Sequence, residues 1–207
     1  AGLFGIVEEQ GSIESLSVRG VVSVSDSADT TTGGIVGINH GTLISCQFTG
    51  VVTGDSEVGG IVGRNESEGT IDHSTARAIV TGKSSTGGIA GYNLGAITGC
   101  TNVGSINTEY PEASLDTDGF TAKMVDYINN KMAAADDDAT NSVTNVATDT
   151  GGIAGRSSGM ILTSVNTGTI GYEHVGYNVG GIVGRTDGLV SGCVNQGRVL
   201  GRKDVGG

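Results

Sequence analysis

Gly155, Arg156, Ser157, Ser158 and Gly159 spell G-x-S-x-G, the turn that lifts a nucleophilic serine above the sheet of a hydrolase. That chemistry needs a strand, a sharp turn and a long helix around the serine. Asn39, Asn65 and Asn93 stand at the equivalent places elsewhere in the chain, so the match reads as a by-product of repetition. Cys46, Cys100 and Cys193 raise a disulfide or metal reading, but they fall far apart and alternate with Ser74 and Ser164 at matching positions. His40, His73 and His174 share no register and form no H-E-x-x-H, which leaves a zinc peptidase centre without ligands. Asp116, Asp118 and Gly119 open like a calcium loop, yet Tyr127 occupies the twelfth position, where a bidentate Glu belongs. A loose surface calcium site there is the strongest metal reading; a solvated acidic loop is the plainer one. Gly82, Lys83 and Ser84 resemble the end of a phosphate loop, but Arg77 replaces its first glycine. Asn65, Glu66 and Ser67 make a glycosylation sequon. No catalytic residue, cofactor or metal is therefore expected.

The elements that carry these residues come from a repeat. AGLFG at Ala1 recurs as GGIVG at Gly33, Gly59 and Gly180 and as GGIAG at Gly87 and Gly151, with a seventh start at Gly206. The intervals are 32, 26, 28, 64, 29 and 26 residues, so one unit is about 28 residues and one carries a long insertion. Later positions stay in register. One slot is Ile13, Leu43, Ile71, Ile97, Ile161 and Val190; three residues on come Leu16, Cys46, Ser74, Cys100, Ser164 and Cys193. Val18, Phe48, Ala76, Asn102, Asn166 and Asn195 follow at a spacing of two, then a small residue, then Val22, Val52, Val80, Ile106, Ile170 and Val199. A period of two places these on one face of a strand. Six short β-branched runs separated by glycine predict an all-β, right-handed parallel β-solenoid of about six rungs, with three strands in each. Its rungs would stack about 4.8 Å apart. Glycine is expected to give positive φ at corners and close approach in a narrow interior. Both asparagine sets read as turn ladders, because Asn tolerates left-handed backbone and bonds its own chain. Two rungs put same-slot cysteines about 9.6 Å apart, beyond the reach of a bridge, so the three thiols read as core.

Of 207 residues 38 are Gly and one is Pro, which excludes collagen, and 36% hydrophobic content excludes ordinary disorder. Eleven Lys+Arg against 22 Asp+Glu give −11, which disfavours nucleic acid and anionic lipid as partners. No run approaches the ~18 apolar residues of a spanning helix, and AGLFGIVEEQ lacks the basic start and apolar core of a signal peptide.

The units GGIVGINHGTLISCQFTGVV, GGIAGYNLGAITGCTNVGSI and GGIVGRTDGLVSGCVNQGRV resemble the GLUG motif repeats of large secreted and surface-anchored bacterial proteins, many adhesin-like. Similar repeats occur in the non-catalytic part of the metallopeptidases that cleave immunoglobulin A1. The resemblance implies an extracellular or bacterial cell-surface location, a β-solenoid body and no transferable catalytic residues. It covers everything but the insertion, and both ends fall inside the array, as in a segment of something longer.

Residues 1–207 are thus expected to form one solenoid segment, with an insertion over 108–150 that departs from the repeat. Phe120, Met124, Ile128 and Met132 sit four apart, the spacing of an amphipathic helix near 119–135, with Asp118 as N-cap and Asp136, Asp137 and Asp138 beyond its end. That stripe either packs on the solenoid's flank or is displayed to a partner. The function expected is a non-enzymatic structural or adhesive module. Its partners would be a host or microbial surface protein or glycan, besides neighbouring repeats of the same chain. The alternatives are an accessory domain that positions substrate for a surface metallopeptidase and a polysaccharide-active β-helix.

Overall fold

A computed structural model describes residues 1–24, 30–108, 147–173 and 175–207. The chain divides into two units, Ala1–Glu109 with Ala147–Gly207, and Tyr110–Val146. The second lies outside the described residues, and with it the expected helix, Phe120, Met124, Ile128, Met132 and the acidic pair Asp116 and Asp118. All regular elements among the described residues are strands.

The first unit is a parallel β-solenoid. Its strands form four sheets, each continuous through six successive rungs and so five turns; three have six strands, and sheet 3 has seven because one rung contributes two. Sheet 1 holds Phe4–Val7, Val36–Asn39, Val62–Asn65, Ala90–Asn93, Ala154–Ser157 and Val183–Thr186. Sheet 2 holds the three-residue strands from Ser12–Glu14 to Leu189–Ser191. Sheet 3 opens with the long strands Ser17–Ser23, Gln47–Thr53 and Thr75–Thr81, and sheet 4 runs from Thr32–Gly33 to Lys203–Gly206. The slots found in the sequence are the register of the sheets. Ile13 pairs Leu43, then Ile71, Ile97, Ile161 and Val190 in turn. Val22 pairs Val52, Val52 pairs Val80, and the column continues through Ile106, Ile170 and Val199.

Four strands per rung replace the expected three, because the glycine signature is a corner. Ile35 and Val36 are adjacent and both fully buried. A straight strand sends neighbours to opposite faces, so the chain must bend between them. One strand ends at Gly33 and the next begins at Val36. Gly34 permits the bend to close on the interior: a Cβ there would lie 2.5 Å from the Phe48 ring, across a core one side chain wide.

Glycine supplies less of the left-handed backbone than expected. Ten described residues with positive φ are not glycine, and nine of them form two columns. Ser15, Ser45, His73 and Thr163, joined by Gly99 and Gly192, turn the chain between sheets 2 and 3. Glu57, Ser85, Asp149, Asn178 and Asp204 do so within sheet 4. A short or polar side chain tolerates this conformation at about 1–2 kcal/mol. A position with no room for a Cβ tolerates only glycine, so close approach is what selects it.

The Asn102 slot controls strand length. With Val18, Phe48 or Ala76 there, sheet 3 runs unbroken for seven residues. With Asn102, the side chain accepts from Gly104 N–H at 3.0 Å and donates to its carbonyl at 3.3 Å, closing a local turn. The rung then splits into Thr101–Asn102 and Ser105–Ile106.

Candidate functional site

From the second rung on, most interior polar side chains bond from one rung to the next. Between sheets 1 and 2, Asn39 Nδ2 donates to Asn65 Oδ1 at 2.8 Å, Asn65 to Asn93 at 2.9 Å and Asn93 to Ser157 Oγ at 3.1 Å. All four are fully buried. The carboxamides also hold the following turn: Asn39 bonds both the N–H and the carbonyl of Gly41. The expected turn ladder is therefore present, but none of its asparagines has positive φ. They are selected for the two-sided carboxamide, which donates up the column and accepts from below. Asn102, Asn166 and Asn195 form a second column with 2.8 Å steps. Ser157 is thus a rung of an amide ladder, and the sequon Asn65 is sealed inside.

The Cys/Ser slot is a third column. Ser74 and Ser164 hydroxyls donate to the carbonyls of Asp72 and Leu162 and accept the N–H of Cys46 and Cys100 at 3.1 and 3.2 Å. The thiols make the equivalent weak bonds to Ile44 and Thr98 carbonyls. All three cysteines are free, and burial pushes the Cys100 thiol up to about 12. Among the described residues no set of three His, Cys, Asp or Glu side chains converges to hold a metal. His73 Nδ1 lies 2.8 Å from Asp72, and Lys83 is ion-paired with Asp55 at 2.8 Å, so neither faces an open site.

Chemistry available to a partner is on the outside, where sequence reading placed no residue of the solenoid. Two faces stand out. The outward column of sheet 1 aligns Arg64, Tyr92, Arg156 and Arg185. Arg64 and Arg156 sandwich the Tyr92 ring at 5.1 and 5.3 Å. Their charge is answered locally: Arg64 pairs with Glu57 at 2.8 Å and Glu66 at 2.9 Å. Asp187 sits by Ser158, whose hydroxyl holds its carboxyl below the usual range, helped by Arg156 and Arg185. The outward face of sheet 3 is different. Arg19 and Arg77 share a column with Thr49 between them, Arg198 projects farther along, and no outward position of that sheet is Asp or Glu. The signal for both columns was in the sequence, as Arg64, Tyr92 and Arg156 recur at the fourth residue after the signature's second glycine. Finding it required reading the variable slots as columns too.

The geometry defines a class: a repeat protein whose inward side chains bond rung to rung and whose outward ones are free to differ. The family model of the GLUG motif matches residues 54–81, one full turn from Gly54 to Thr81. Over 75 residues the chain is 35% identical to halomucin of Haloquadratum walsbyi, a stretch that makes up 36% of this chain and 1% of that protein's length. No solved structure matches. No helix among the described residues is long and apolar enough to cross a membrane.

Proposed function

We propose that the chain is a non-enzymatic structural and adhesive module of a secreted or cell-surface protein. The observation that carries this reading is the division of labour within each rung. Inward slots hold a narrow set of residues that hydrogen-bond to the next rung, as from Asn39 to Ser157. Outward slots change type from rung to rung, as in Ile38, Arg64, Tyr92 and Arg156. Such a body keeps its shape while its surface diversifies, which suits display and binding. The GLUG match and the name halomucin support a surface or secreted setting. The partner is a surface protein or glycan.

The test applies the purified chain to a panel of glycans and extracellular matrix proteins, scored for retention and for new product ends. Retention without cleavage is expected. Turnover of a polyuronate or mucin glycan would replace this reading with an enzymatic one, and absence of any retention would leave a spacer without adhesive function.

A further inference from the structure

The geometry points to the outer face of sheet 3 as a binding surface for a carboxylate-bearing polysaccharide of low charge density; this rests on the adhesive reading above. The first observation is segregation of charge. The chain has 22 acids and 11 bases, yet the outward positions of sheet 3 hold Arg19 and Arg77 and no acid, and Arg198 lies on the continuation of its last rung beside the Val199 bridge. Acids cluster elsewhere: Glu14 and Asp72 lie on sheet 2, and Glu57, Asp149 and Asp204 on sheet 4. Arg19, Arg77 and Arg198 are exposed and form no ion pair among the described residues, whereas Arg64 on sheet 1 has two carboxylates. At physiological ionic strength charges beyond about 8 Å are screened, so a ligand lying on this face meets its local sign rather than the −11 of the whole chain.

The second observation is spacing. Arg19 pairs Thr49, and Thr49 pairs Arg77, so the two guanidinium groups rise from the same column two rungs apart, about 9.6 Å at their backbones. Arg198 follows three rungs later in the neighbouring column, one residue before Val199. Three cations spread along five rung steps fit a polymer with intermittent carboxylates. A densely sulfated chain would leave most of its charge unanswered. Between the arginines lie the groups that meet sugar rings. Thr49, Thr75 and Thr101 hydroxyls both donate and accept, and exposed Val21 and Ile79 offer a flat apolar surface to C–H faces. The guanidinium fork engages a carboxylate through two parallel N–H bonds.

The full chain is tested by affinity electrophoresis against hyaluronan, heparin and neutral dextran, beside the R19Q/R77Q/R198Q variant and an R185Q control, all verified as folded by circular dichroism. Hyaluronan should retard the wild type and R185Q. The triple variant should bind at least tenfold more weakly, and wild-type affinity should fall as salt rises from about 50 to about 200 mM, because exposed charge pairs are increasingly screened. Equal hyaluronan binding by the triple variant overturns the site. Retardation by heparin alone overturns the charge density, and by dextran alone the ionic basis. If another partner from the retention panel binds all variants alike, this site fails while the adhesive reading stands. If nothing on that panel or these gels is bound, both fail.

Discussion

Replacing Asn65 by alanine removes the middle of the amide column between sheets 1 and 2. Its Nδ2 donates to Asn93 Oδ1 at 2.9 Å and to the Gly69 carbonyl at 3.0 Å, and its Oδ1 accepts from Asn39 Nδ2 at 2.8 Å. The site has no solvent exposure. Three hydrogen bonds at about 1 kcal/mol net each, with about 1–3 kcal/mol more for buried partners left short, give a loss of about 4–6 kcal/mol. Asn39 is partly protected, since its Nδ2 keeps the Gly41 carbonyl at 3.1 Å. Against a total stability of about 5–15 kcal/mol this is a large fraction. Urea unfolding followed by far-UV circular dichroism reads it, provided the denaturant slope is unchanged. Asn65→Ser should cost less, about 1–2 kcal/mol, because Ser157 already serves in this column as acceptor for Asn93 at 3.1 Å. An Asn65→Ala loss under about 1 kcal/mol would refute the reasoning. So would a serine variant as unstable as alanine, or a vanishing coupling in the Asn65→Ala/Asn93→Ala double-mutant cycle.

Thr86 Oγ1 is buried without a partner among the described residues, and Val58 fills the same slot one rung away, so Thr86→Val should raise stability by about 1–2 kcal/mol and Tm by a few degrees. Thr150→Val should do the opposite in the same thermal melt, because its Oγ1 accepts from Asn107 Nδ2 at 3.0 Å. Gly50 has φ +147° and a Cβ there would come within 1.8 Å of the Gly20 carbonyl oxygen, while a Cβ at Gly20 meets nothing within 4 Å. Chemical denaturation should therefore show Gly50→Ala losing about 2 kcal/mol or more and Gly20→Ala unchanged or slightly stabilised. The Cys100 thiol, raised by burial from 9.0 to about 12, stays protonated in the fold after its unfolded counterpart ionises. The unfolded state then binds fewer protons, so stability falls with rising pH from about 9 to about 12, by roughly 1.4 kcal/mol per unit. Stability profiles of wild type and Cys100→Ser should diverge across that window, with the serine variant the flatter.

Much of the interior was legible because a stacked fold copies its register into the sequence. Ile71 is in its slot for the same reason as Ile97: each fills one layer of one column. The same repetition explained Ser157 and the alternation of Cys46 with Ser74 before any contact was known. The corner at the glycine signature was missed although Ile35 and Val36 show it, because two adjacent apolar residues also fit a strand buried on both faces. The left-handed columns were missed for a different reason. Ser45, Glu57 and His73 are ordinary at such positions only once the neighbouring rungs fix their backbone, and nothing in a side chain of that type announces it. The outer arginines escaped because Arg19 and Arg77 are separated by a threonine rung and 58 residues of sequence. Repetition is weaker outside, where the stack places little demand on residue type.

The two amide columns also explain how one rung step accommodates a long insertion. The corner column covers the second to fourth rungs through Asn39, Asn65 and Asn93, and the other covers the fourth to sixth through Asn102, Asn166 and Asn195. They overlap in the fourth rung, the one whose chain departs into residues 109–146. Asn93 Nδ2 donates to Ser157 and to the Met160 carbonyl, Ser164 accepts the Cys100 N–H, Asn102 donates to Asn166, and Thr167 Oγ1 donates to the Asn102 carbonyl, all tying that rung to the fifth, while Asn107 to Thr150 spans the departure itself. Aliphatic layers alone are a weak specification here, because Ile97 meets Ile161 or Val190 with nearly the same apolar surface. The carboxamides and hydroxyls break that degeneracy: a misaligned fourth rung would bury several polar groups without partners. Lengthening the connection costs little more, since loop closure rises by only about 0.6 kcal/mol per doubling of length. The polar interior is therefore what lets the stack tolerate variation in its connections as well as on its surface, and it is densest where the connection is longest.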